Sequence, residues 1–271
     1  CLAHELDTRH IDYVYHYFDL RRVGFAELPY VGVLTDLLGK LDTKLHTASN
    51  LDTLVEANLG NLGFGYETYG RDDDLSFARP MLVVSASALS EKVDALASIP
   101  QEVWGKTLYL DGNRMRDILT QRKVALEQYF VNSGHTAAAA RATSYFSSAS
   151  VASSQMGGID YYLFLKRLLA NWDRRLPALQ EILPNLADRI FTADEVTVSF
   201  TGPAEDRKRF WELGGTLGLE EQGENVCEHR LQIPAPKVAR EGFVIPSNVS
   251  FVARAAAPTT ADAGTLGTWQ V

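Results

Sequence analysis

The sequence predicts an α+β fold: an antiparallel sheet with helices packed on one face. Three observations carry that expectation. One strand pattern lies near the start, two more follow as neighbours, and a long helical run separates them from a late strand. The regular strand–helix alternation of a doubly wound parallel sheet does not appear. With 46% hydrophobic residues in 271, the chain can bury a sizeable core.

His10 to Leu20 alternates, with Ile11, Tyr13, Tyr15 and Tyr17 on one face and Asp12, Val14, His16 and Phe18 on the other. Large residues on both sides predict a strand covered on both faces. Phe25 to Leu41 turns helical: Leu34, Leu37, Leu38 and Leu41 keep three-four spacing, and Pro29 fits a first turn. Asn50 is expected to cap a second helix through Leu59, with Asp52 in its first turn. Gly60 to Gly70, rich in glycine and aromatics, reads as a strand with close backbone approach. Arg71 to Leu75 reads as a charged turn, and Ala78 to Ser87, with Met81, Leu82, Val83 and Val84, as a buried strand.

Ser90 to Trp104 predicts a helix with Val93, Leu96 and Ala97 inward and Pro100 breaking it late. Asn113 to Val131 is the longest periodic helix, striped by Met115, Ile118, Leu119, Leu126, Tyr129 and Phe130 and ended by Ser133-Gly134. Thr136 to Ala152 predicts an alanine-rich helix. Asp160 is expected to cap another through Trp172, and a further one spans Leu176 to Leu186. Val196 to Thr201 alternates as a strand, and Glu205 to Leu217 is helical. Glu220 to Arg240, with Gly223, Pro234 and Pro236 among charges, reads as a linker. Gly242 to Ala255 returns to a strand pattern, and Pro258 to Gly267 is small and polar.

Net charge is −8 and the isoelectric point about 5.3. That balance argues against a nucleic-acid partner, which needs clustered Lys and Arg. No apolar run reaches membrane-spanning length. The two cysteines, Cys1 and Cys227, do not suggest a structural disulfide and suit a reducing compartment. The start, Cys1 to Asp7, lacks the basic and apolar regions of a signal peptide, and a fragment boundary is expected there.

Candidate chemistry is sparse. Neither His-x-x-Glu-His nor His-Glu-x-x-His occurs. His10 and His16 are about 20 Å apart along a strand, too far to share a metal. Cys227-Glu228-His229 is one ligand cluster without a partner, and structural zinc needs a closed set. Ser133 and His135 do not make a triad, and no Gly-x-Ser-x-Gly surrounds the serine. The simple reading of Ser133 is a helix end with a capping hydroxyl. Arg71 to Asp74 reads as a solvated turn rather than a calcium loop. Gly60 to Gly65 lacks the following Lys of a phosphate loop, so no nucleotide is expected.

Four ordered blocks carry a resemblance. They are Leu28-Pro29-Tyr30 with Gly39 to Thr43; Ser133-Gly134-His135 to Arg141; Gln155-Met156-Gly157-Gly158 leading into Tyr161 to Leu165; and Phe243 to Val252. In that order and spacing the chain resembles the second half of the presequence proteases, a branch of the pitrilysin/insulinase zinc metallopeptidases. The resemblance implies a LuxS/mitochondrial-processing-peptidase-like repeat, four of which close around a peptide in two halves. Residues 1–236 would be the third repeat with its linker, and 237–271 the first strand and start of an incomplete fourth.

In that family the first repeat carries the His-x-x-Glu-His zinc helix. Laid on it, this chain places Tyr30, Val33 and Leu34 at the ligand and base positions, so no catalytic and no metal residue is expected here. The zinc would belong to the other half of the parent enzyme. The resemblance further implies an N-terminal catalytic half and an unstructured peptide as partners, with Ser133, Gly134 and His135 lining the chamber. The location would be cytoplasmic in a bacterium, mitochondrial or plastid in a eukaryote. A catalytically dead scaffold or interaction protein of the same fold is the alternative.

Overall fold

A computed structural model describes residues 2–215 and 230–256. Its strands are β1 (Leu2–Glu5), β2 (Ile11–Asp19), β3 (Asn61–Tyr69), β4 (Arg79–Leu89) and β5 (Val196–Gly202). They form one sheet in the order β1-β5-β2-β4-β3. β2 pairs antiparallel with both β4 and β5, and β3 antiparallel with β4. β1, which the sequence pattern did not reveal, adds at the edge in parallel to β5. Its four residues are all exposed, so no apolar alternation marks it.

The helices are α1 (Leu28–Leu37), α2 (Ala48–Asn58), α3 (Val93–Lys106), α4 (Gly112–Asn132), α5 (Gly134–Thr143), α6 (Ser148–Gly157), α7 (Ile159–Ala170), α8 (Trp172–Ile190) and α9 (Ala204–Glu212). Several expectations change. α2 is capped by Thr47, whose hydroxyl accepts from the Asn50 N–H, so Asn50 lies inside the helix. Pro100 does not break α3, because Ile99, Val103 and Trp104 bury around it. α8 tolerates Pro177 and Pro184 for the same reason: Leu179, Leu183, Leu186 and Ile190 hold a buried stripe along it.

The alanine-rich helix is two helices. The chain breaks after Thr143, Ser147 caps α6 through the Ser150 N–H, and Ser148 N–H instead donates to the Leu75 carbonyl at 2.9 Å. The run Thr143 to Ser148 holds only weak helix formers and a capping serine, so the local sequence permits the break that the Leu75 hydrogen bond fixes. α9 ends at Glu212 and residues 213–215 form a turn. The Gly242 to Ala255 strand does not form. Residues 230–256 run without strand pairing, and Val244 and Val252 stand fully exposed. The Cys227–His229 cluster, about half of Glu220 to Arg240 and Pro258 to Gly267 lie outside the described residues.

The two faces of the sheet differ. Val14, Phe18, Leu82, Val84, Ala86, Val198 and Phe200 point into one hydrophobic core with α1, α3, α6 and α9. The opposite face carries Tyr13, Tyr15 and Tyr17 of β2. Tyr15 faces Ser85 and Ser199 across the ladder, and Tyr13 faces Ser87 and Thr201. Tyr13 and Tyr15 are each 38% exposed. β2 is therefore covered on one face and open on the other, contrary to the expectation from its large residues. Tyrosine is compatible with either situation because its hydroxyl is content in water.

Candidate functional site

The four sequence blocks meet in space. Gly32 of α1 lies against α6 and α7: a Cβ there would fall 2.3 Å from the Met156 carbonyl oxygen and 2.8 Å from the Tyr161 ring. No other residue fits that approach without displacing backbone. Tyr30 packs edge-on against Phe164 with ring centroids 5.0 Å apart. The Tyr161 hydroxyl donates to Asp36 Oδ2 at 2.6 Å, and Arg122 Nε lies 3.2 Å from Asp36 Oδ1. Burial raises the Asp36 carboxyl above its ordinary value, with Arg122 opposing that rise. Gly157 repeats the device, since a Cβ there would strike the Tyr66 hydroxyl at 1.8 Å.

Arg141 of α5 ties in the other two blocks. Its Nη1 donates to Asp160 Oδ2 at 2.8 Å; its Nε and Nη2 donate to the two Glu241 oxygens at 2.6 and 3.0 Å. Tyr145 adds a hydrogen bond to Glu241 at 2.8 Å, and Ser154 one to Asp160 at 2.6 Å. The Arg141 hydrogen bonds hold the Glu241 carboxyl below its usual range. This bidentate guanidinium–carboxylate pair straps residues 230–256 to the helix layer. Asp160 is thus not a helix cap: it sits in the first turn of α7 and spends its carboxylate on Arg141 and Ser154.

Ser133, Gly134 and His135 sit where α4 passes into α5. Ser133 makes no side-chain capping bond; its backbone carbonyl accepts from Thr136 and Ala137 instead. Gly134 opens α5 rather than closing α4. A Cβ on it would lie 2.2 Å from the Phe251 ring, so it forms the notch that seats that residue. His135 is exposed, with its ring 6.0 Å from Phe251.

A cavity of about 520 Å³ lies nearby, lined by Tyr66, Arg122, Tyr129, Arg141, Ser150 and Gly157 among others. The α5 residues on its wall begin at Ala137. Sequence reasoning missed Tyr66 and Arg122, which are far apart in the chain; the Gly157-Gly158 pair was the one local signal.

Two ionisable groups lie in the core away from this hub. Asp12 is fully buried, and burial with the nearby Asp206 pushes its carboxyl up to about 6, a rise that Ser90 moderates. His16 donates Nε2–H to the Gly215 carbonyl at 2.9 Å, and burial lowers it to about 4. Neither joins a ligand set. Among the described residues no group of three or more His, Cys, Asp or Glu gathers as a metal site. Val33 and Leu34 are fully buried core residues and Tyr30 packs on Phe164, so these side chains do not fit a zinc ion. No helix among the described residues is long and apolar enough to cross a membrane.

Comparison with known proteins follows the same lines. A family described as associated with peptidase M16, subfamily C, matches residues 1–168. Protein HypA of Clostridium perfringens is 27% identical over 253 residues, covering 93% of this chain and 26% of its own length. Presequence protease 1, chloroplastic/mitochondrial, of Arabidopsis thaliana is 26% identical over 265 residues, covering 94% and 23%. A mitochondrial presequence protease of Yarrowia lipolytica is 23% identical over 181 residues, covering 67% and 18%. The chain thus spans about a quarter of the length of the first two relatives. The crystal structure of a conserved protein from Enterococcus faecalis V583 superposes with a TM-score of 0.58 at 12% identity, over 82% of this chain and 50% of that one, which shows the shared fold.

Proposed function

Because the chain belongs to this peptidase-associated family, in the presequence-protease branch of the M16 peptidases, we propose that it is a non-catalytic wall of a zinc endopeptidase chamber. The observation that carries this reading is the hub. Four separated sequence blocks converge on Gly32, Gly134, Arg141 and Tyr161, and their side chains pack, strap and brace. The α1 positions that would hold a metal in a catalytic repeat are spent on core packing. Such a part shapes space and leaves bond scission to a partner.

In this reading the partner is an N-terminal catalytic half that carries the zinc, and the substrate is an unstructured peptide small enough to be enclosed. Each repeat is of the LuxS/mitochondrial-processing-peptidase kind. Residues 1–236 make the third repeat, and the arm from 237 onward supplies the first strand of a fourth. The alternation of that arm supports this: it has the composition of a strand, and its exposed Val244, Val249 and Val252 lack a sheet to cover them. Of Ser133, Gly134 and His135, beside the strap, the exposed His135 would face the enclosed space, while Gly134 lies beneath Phe251. In eukaryotic relatives the setting is the mitochondrion or plastid, and in a bacterium the cytoplasm.

The test is reconstitution. The isolated chain with added zinc is expected to cleave no unstructured peptide, and mixing it with the parent's N-terminal half is expected to restore chelator-sensitive cleavage. Turnover by the isolated chain, abolished by chelation, would refute the reading. A stable complex with no activity would refute it in favour of a scaffold.

A further inference from the structure

We propose that the open face of the sheet is the polypeptide-contact surface of this module, and that it takes an extended, basic segment across Tyr13, Tyr15 and Tyr17. The proposal rests on the chamber-wall reading and names the surface that would do the touching. Three features of the face lead to it.

The first is its shape. The rings of Tyr15 and Tyr17 stack along β2 with centroids 6.1 Å apart and planes within 17°. Two strands away, Gly65 leaves a gap: a Cβ built there would meet nothing within 4 Å. Gly63 lies on the same side, opposite Ser85. The tyrosine row on β2 and the side chains of Glu67 and Tyr69 on β3 therefore border a shallow trough whose floor is Ser85 and the largely covered Val83 of β4 beside the two glycines. An extended chain fits such a trough along the strand direction.

The second is composition. A permanent partner covering a sheet face calls for an apolar footprint like a divided core. This face offers tyrosines set among Ser85, Ser87, Ser199, Thr197 and Thr201, with an apolar strip limited to Met81 and Val83 of β4, which are only 6% and 7% exposed. Rigid amphipathic rings beside small hydroxyls suit adaptable, wet and sequence-tolerant contact. Such contact suits a passing polypeptide better than a fixed neighbour.

The third is charge. Arg79, which lies on this face, is paired with Asp19 at 2.8 Å. Glu67 lies on the margin, accepting a hydrogen bond from the Tyr69 hydroxyl. The faces of three tyrosines and one carboxylate attract lysine and arginine side chains. The net charge of −8 draws the same ligands at longer range.

The experiment is fluorescence anisotropy on this chain with an unstructured, labelled Arg/Gly/Ser peptide, against the same peptide with Glu replacing Arg. The basic peptide is expected to bind and the acidic one not. Tyr13→Leu/Tyr15→Leu should raise Kd by about fivefold or more, and Tyr13→Phe/Tyr15→Phe, which keeps the rings, should change it less than about twofold. Glu67→Gln should weaken the basic peptide by about twofold to threefold. Circular dichroism must show every variant folded. Folded Leu variants that bind like the parent, or equal binding of both peptides, would overturn the proposal.

Repeating the series in the reconstituted enzyme separates the two readings. Binding here without restored cleavage defeats the chamber role and leaves this surface standing. Restored cleavage with an unchanged KM in the Leu variants defeats this surface alone. If the added half shields these tyrosines from nitration and the peptide does not compete, a folded neighbour is the occupant and the proposal fails.

Discussion

The two faces of one sheet, built by alternate residues of the same strands, have opposite characters. On the helix side, Phe18 is fully buried and meets Trp104 and Phe191 edge-on at 5.6 and 4.9 Å. On the open side, Tyr17 stacks along its own strand, and Tyr13 and Tyr15 are partly in water. The difference teaches that aromatic content is not burial. What decides is whether a helix layer lies above the ring, and the sequence of the strand does not record that. It also separates environments: one face is buried under helices, and on the other Tyr13 and Tyr15 stay 38% exposed among the described residues.

The largest expected effect breaks the comparison directly. Phe18→Ala should cost about 3–5 kcal/mol by opening a cavity in the aromatic cluster, measured by denaturant unfolding. A cost near that of a surface change would mean the helix layer does not close over β2.

Asp12 and His16 sharpen the comparison through pH. Asp12 has a folded pKa above its unfolded value of 3.8, so its contribution is complete below about 3.8 and is lost as pH rises through about 6. His16 is the reverse: its contribution is complete above about 6.5 and is lost as pH falls through about 4. Between about 4 and 6 the two slopes oppose each other. Asp12→Asn should stabilise the protein by about 2 kcal/mol at neutral pH. It should also leave a stability profile that climbs from pH 4 to 6.5. Thermal melts across that range check both, and an unchanged profile would show that Asp12 is ionised in the core.

The strap tests the helix layer's outer surface. Arg141→Ala should cost about 1–2 kcal/mol and free residues 230–256, seen as faster proteolysis in that segment while the sheet stays protected. Arg141→Lys should rescue little, because a lysine cannot hold both Glu241 oxygens at once. The smallest effect lies on the open face, where Tyr15→Ala should cost less than about 1 kcal/mol. A cost like that of Phe18→Ala would mean this face is covered as well.

Part of the hub is legible in the chain itself. The Gly157-Gly158 pair and Ser133-Gly134 stand out as local signals, and the fold uses Gly157 and Gly134 for close approach to Tyr66 and Phe251. The partners were not legible, because Tyr66 lies about 90 residues from Gly157 and Glu241 lies 100 from Arg141. Nothing local marks such pairs. Asp12 and His16 illustrate a different limit. They alternate with Val14 and Phe18, so the pattern placed them on one face, and only the packed helices showed that this face is the core.

Local signals determined the strands β2 to β5, the helices from α1 to α4 and the α+β class: alternation for β2 and β5, composition and an apolar run for β3 and β4, helical spacing for α1 and α4, and turn or cap residues for α2 and α3. Tertiary structure decided the rest. It split the alanine-rich helix at Ser144 to Ser147, carried α3 and α8 through their prolines, left residues 242–255 without a sheet and added β1 beside β5. β1, the unbroken α3 and α8, and the fixing of the α5–α6 break depend on contacts with residues distant in sequence, and local propensities of a few tenths of a kcal/mol per residue yield to them.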